Sequence, residues 1–110
     1  MPMAAPDLLN YYEAAVSQGY VMVSVKRLVL DVLKPHQPDA LEFSQEIARL
    51  GEGYRVCLQV EEMDENTQTL RLEVHGEALN LELIEAAISD LGASVHSVDL
   101  VEVQNELDNS

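Results

Sequence analysis

The sequence predicts an α+β sandwich in which two helices cover one face of a four-stranded antiparallel sheet. Three observations predict it. Signals follow one another in the order strand, helix, strand, strand, helix, strand; apolar residues recur every second position in the strand segments and every third or fourth in the helical ones; and proline, glycine or a capping residue marks most of the boundaries. Right-handed crossovers then put the first and third strands at the centre, in the spatial order 4-1-3-2.

Taken in order, residues 1–19 form an N-terminal extension. Within it, Leu8, Leu9, Tyr12, Ala15 and Val16 fall on one face of a predicted amphipathic helix from Pro6 to Gln18, suited to packing on the sheet or on another subunit. The domain proper is expected over residues 20–103. Its first strand runs from about Val21 to Leu33 and stops at Lys34-Pro35-His36-Gln37-Pro38, where two prolines forbid a continued ladder. Asp39 caps the first helix, with Glu42 placed to complete a capping box and Phe43, Ile47 and Leu50 as the apolar stripe. Gly51, in a left-handed conformation, is expected to end it. From Tyr54 to Val60, inward Val56, Leu58 and Val60 alternate with outward Arg55, Cys57 and Gln59. Asp64 to Gln68 reads as a turn, and Leu70, Leu72 and Val74 then alternate with Arg71, Glu73 and His75. Asn80 caps a second helix carrying Leu81, Ile84, Ile88 and Leu91, which Gly92 terminates. Ala93 to Val103 forms the last strand, with a bulge expected because Val95 and Val98 both read as core-facing, and residues 104–110 read as a disordered tail.

Composition narrows the function. Twenty Asp and Glu against six Lys and Arg give a net charge of −14, which repels phosphate backbones and anionic membrane surfaces, so neither nucleic acid nor membrane is an expected partner. Cations suit such a surface, as does a purely solubilising role. A lone Cys57 forms no disulfide within the chain and fits a reducing compartment, and no apolar run reaches the ~20 residues of a membrane span. A cytoplasmic protein is the expectation. No phosphate loop, GxGxxG, HExxH or cysteine pair is present, so no enzymatic activity is expected.

One acidic residue interrupts an apolar run: Asp31, in Leu28-Val29-Leu30-Asp31-Val32-Leu33. A carboxylate on a sheet needs water, an ion pair or a metal. If Leu28, Leu30 and Val32 face the helices, the opposite face collects Arg27, Val29, Asp31, Arg55, Cys57, Gln59, Glu61, Arg71, Glu73 and His75, with His96 or Asp99 from the last strand. Antiparallel pairing makes Arg71 and His96 the expected neighbours of Asp31. Three readings compete. Asp31 forms an ordinary ion pair with Arg71; or Asp31, Glu73, His75, His96 and Asp99 gather a divalent cation; or an Asp–His pair does acid–base chemistry. A second oxygen-rich group, including Glu61 and Asp64, sits where the hairpin turns, although its spacing is not that of an EF-hand loop. His36 reads as a solvent-facing turn residue.

Three blocks, Arg27 to His36, Gly76-Glu77-Ala78-Leu79 and Leu91 to Asp99, closely resemble the uncharacterised, largely archaeal family named domain of unknown function two-eleven. The likeness spans about Val23 to Val103. It implies a ferredoxin-like βαββαβ sandwich, self-association into a homo-oligomer such as a ring, and divalent metal ions, calcium first, as cofactor. It brings no enzymatic activity. The chain departs from the family pattern in its long N-terminal segment and its compact Gly51-Glu52-Gly53. The expected function is thus a non-enzymatic, self-associating module that binds divalent cations through acidic residues, in a regulatory or scaffolding role. The competing expectation is a regulatory domain that senses a small metabolite at the subunit interface.

Overall fold

The two central strands, each paired on both edges, differ in pattern: one alternates apolar and polar residues strictly from Leu70 to His75, whereas the other carries the near-continuous apolar run Leu28 to Leu33. The computed structural model describes residues 22–106. Six elements follow in the predicted order: β1 (Val23–Pro35), α1 (Ala40–Ala48), β2 (Arg55–Met63), β3 (Thr67–His75), α2 (Leu81–Asp90) and β4 (Ser94–Asn105). They form an α+β fold with one antiparallel sheet in the order β2-β3-β1-β4, the predicted order read from the other side. The predicted N-terminal helix lies outside the described residues.

Leu28, Leu30 and Val32 of β1 and Leu70, Leu72 and Val74 of β3 are fully buried, in one cluster with Phe43 and Ile47 of α1 and Ile84 and Ile88 of α2. Each such side chain contributes on the order of 1.5–3 kcal/mol by leaving water. The edge strands add only half-buried residues, Val56 and Leu58 from β2 and Val95 from β4. This core belongs to the unit Val25–Val103; outside that unit, the Glu106 N–H donates to the Met22 carbonyl at 2.6 Å.

The caps form as the sequence requires. Asp39 Oδ1 accepts from the Glu42 N–H at 2.8 Å, and Asn80 Oδ1 from the Leu83 N–H at 3.0 Å. Gly92, at φ +86, ends α2 in a Schellman arrangement: its N–H reaches the Ser89 carbonyl at 2.9 Å, and the Ala93 N–H reaches the Ile88 carbonyl at 3.1 Å.

Several expectations need correction. Gly51 does not end α1 through a left-handed backbone: the helix stops at Ala48, and Gly53 and Gly92 are the glycines with positive φ among the described residues. The absence of a side chain at Gly51 serves packing instead, since a Cβ there would meet the Tyr54 ring at 2.5 Å. The hairpin strands extend further than their apolar pattern, which shortens the loop to Asp64-Glu65-Asn66. In β2, Val60 lies opposite Leu70 and Glu62 opposite Thr69, so Glu61 is the extra residue of a bulge. Val98 is 40% exposed and not core-facing, while Val95 packs on the core as expected. Gln104 and Asn105, assigned to a disordered tail, continue β4.

Candidate functional site

The sheet face opposite the helices is built from three aligned rows. Arg55, His75 and Arg27 share one register across β2, β3 and β1; Cys57, Glu73 and Val29 share the next; Gln59, Arg71 and Asp31 the third. Strand alternation points all nine away from the helices. Val29 is nonetheless buried, at 3% exposure.

Glu73 is the hub of this face. Arg27 Nε donates to its Oε2 at 2.7 Å, His75 Nε2 meets the same oxygen at 2.9 Å, and Arg71 Nη1 donates to Oε1 at 3.2 Å. The His75 contact requires a proton on Nε2, because a carboxylate only accepts. These donors favour the ionised form, Arg27 most of all, and hold the Glu73 carboxyl below the usual range despite its partial burial.

Arg71 therefore does not pair with Asp31. The two are register partners, yet the guanidinium turns along its own strand to Glu73, whose longer side chain lies between Arg27 and Arg71. This overturns the expected Asp31–Arg71 ion pair. The Asp31 carboxylate makes no hydrogen bond or ion pair among the described residues; it lines an open groove of about 230 Å³ with Val32, Leu33, Thr69 and His96. The expectation that β4 would bring His96 to Asp31 is thus met at the level of a shared groove.

The other candidates disperse. Asp99 accepts from the Ser97 hydroxyl at 2.7 Å and is exposed. Glu61 is displaced by the bulge, and Glu62 takes its place beside Asp64 in a pocket of about 310 Å³ lined also by Met63, Thr67 and Thr69. Asp64 folds the hairpin: its Oδ1 accepts from the Thr67 N–H at 2.9 Å, the Asn66 N–H at 3.0 Å and the Thr67 hydroxyl at 3.1 Å. These bonds, the Thr67 amide first, lower its pKa. Among the described residues no three His, Cys, Asp or Glu side chains converge as a metal ion within one chain would require. Two donors, Asp31 and His96, share the groove, while Glu73 and His75 are held in the ion-pair cluster.

Two groups were missed. His36, expected to face solvent, places Nε2 3.0 Å from the carbonyl oxygens of both Asp64 and Glu65, and so ties the loop after β1 to the hairpin tip. Lys34 is fully buried at the strand end. Its ammonium donates to the carbonyls of Pro35 at 2.8 Å, His36 at 3.4 Å and Pro38, and lies 6.0 Å from the Phe43 ring centre. Burial lowers its pKa against the opposing pull of Asp39. The prolines supply the sequence signal for Lys34: a turn that bares its carbonyls needs a donor.

No helix among the described residues is long and apolar enough to cross a membrane. Residues 26–108 match the model of the DUF211 family, described as "Uncharacterized ArCR". The chain is 32% identical over 80 residues to the uncharacterized protein MJ0319 of Methanocaldococcus jannaschii, covering 73% of this chain and 82% of that relative. Neither description states a ligand or an activity.

Proposed function

This chain belongs to the DUF211 family, the one its three sequence blocks resemble, and from its own residues we propose that it is a non-enzymatic cytoplasmic module that self-associates and binds a divalent cation between copies, in a regulatory or scaffolding role. The single observation that carries this is the Asp31 carboxylate, without a partner among the described residues, in the groove it shares with His96. A carboxylate and an imidazole are two ligands where a divalent cation takes four to eight, so the remainder come from water and from acidic side chains of a neighbouring copy. Oxygen donors suit calcium, and the imidazole brings zinc or nickel into contention. Association also gives a use to β4, an edge strand whose Val98, Val101 and Val103 are exposed.

A second reading, a small-metabolite sensor, is favoured by a different observation: the arginines gathered on the face opposite the helices. Calorimetry on chelator-treated protein separates the two. Calcium or zinc binding that is lost in Asp31→Asn and weakened in His96→Gln, with unchanged melting temperatures, supports the metal site. Unchanged metal binding in both variants contradicts it.

A further inference from the structure

The chain carries six Lys and Arg, and their distribution is not even. Three are committed locally: Lys26 to Glu77 at 3.2 Å, Lys34 to its loop carbonyls, and Arg49 to Glu46. The other three, Arg27, Arg55 and Arg71, stand on the sheet face opposite the helices with His75 among them. On a protein of net charge −14 the three rows across β2, β3 and β1 hold three guanidiniums against the carboxylates of Glu73 and Asp31.

Glu73 does not exhaust its partners. It takes Arg27 through Nε alone, leaving both terminal nitrogens of that guanidinium, and Arg71 through one nitrogen. Arg55 is exposed, and its guanidinium makes no hydrogen bond or ion pair among the described residues. Arg55 and Arg27 flank His75 in one row, with their backbones about 10 Å apart, two strand spacings, so their side chains can converge above the imidazole. Convergent guanidiniums match the geometry of an oxyanion, which they bind through paired hydrogen bonds.

We propose that the Arg55–His75–Arg27 row, with Arg71 beside it, binds the phosphate or carboxylate group of a small anionic metabolite, and that Glu73 is a positioning residue that holds these cations side by side. The small size follows from the charge. A polyanion gains affinity from many phosphate contacts and meets the acidic surface on every side, whereas a small anion feels mainly the charges within a Debye length, about 8–10 Å at moderate salt. The site is separate from the Asp31–His96 groove and needs no metal.

The test uses the full chain in chelator, which keeps it independent of the cation proposal. Inorganic phosphate and citrate are titrated separately at constant ionic strength, with sodium chloride as control, while the arginine Nε–H and backbone amide resonances are followed by NMR. Saturable shifts centred on Arg27, Arg55, Arg71 and His75 are expected, and the tighter probe names the group bound. Arg55→Gln, at an exposed edge position, weakens that binding by roughly tenfold through loss of a charge-assisted contact without lowering the melting temperature, and Arg49→Gln does not change it. Glu73→Gln removes a negative charge and would tighten an anion by simple attraction; a positioning role predicts weaker binding instead. Shifts that merely follow ionic strength, or persist unchanged in Arg55→Gln, overturn the site. Tighter binding in Glu73→Gln overturns the role given to Glu73.

Discussion

Glu73 shows how far one carboxylate can organise its surroundings. Two arginines and a histidine converge on it, and its pKa is lowered, chiefly by the hydrogen bond from Arg27. A depressed folded-state pKa means that the unfolded chain binds more protons over the interval between the two values. The stabilisation is therefore complete above the ordinary glutamate range and is lost as pH falls through the folded value. Glu73→Gln is expected to cost about 1 kcal/mol at neutral pH, the scale of a partly exposed ion-pair network, and to remove part of the loss of stability in acid. Urea unfolding at pH 7 and pH 3 checks both. Lys34 gives the larger effect: Lys34→Met leaves the carbonyls of Pro35 and Pro38 without their donor and should cost about 2–4 kcal/mol in the same measurement. Neither partner set was named from the residues alone, although the two prolines after Lys34 are a signal that the turn needs a donor. The register that pairs Asp31 with Arg71 follows from strand alternation, but the choice of Arg71 between Asp31 and Glu73 depends on side-chain reach. A lysine at a strand end likewise reads as solvated until the loop carbonyls converge on it.

Elements were more legible than side-chain partners, because caps and alternation are local. Asp39 and Asn80 begin the helices as their types require, and the inner rows of β1 and β3 are the predicted ones. The errors fall where polar residues continue a strand: Glu61-Glu62-Met63 lacks the inward apolar residue that marks β2, and only pairing with β3 reveals the bulge. Gly51 and Gly92 look alike in sequence and act differently. Gly92→Ala places a side chain at φ +86 and is expected to cost about 1 kcal/mol through backbone strain. Gly51→Ala drives a Cβ into the Tyr54 ring, whose hydroxyl accepts from the Asn80 N–H at 3.0 Å. Thermal melts should fall in both, with faster amide exchange at Asn80 only in Gly51→Ala.

At the scale of the whole molecule, charge sets the terms for the proposed association. Copies carrying −14 each repel one another, an effect screened by simple salt over about 10 Å at 0.1 M and offset far more efficiently by a divalent ion held between carboxylates. On the proposed reading, metal binding and association are linked, each strengthening the other. The composition displayed this imbalance from the outset, and strand alternation already put the three arginines on one sheet face; what emerged once the strands were paired was the register that lines up Arg55, His75 and Arg27. The most direct measurement is the solution mass by light scattering after chelator treatment, repeated with calcium, magnesium, zinc and nickel against a sodium chloride control of equal ionic strength. Metal-linked self-association predicts that one divalent ion, at low concentration, raises the mass by a whole number of subunits, and that Asp31→Asn abolishes the rise. A mass that is the same under every condition, or that rises equally with sodium chloride, would contradict it.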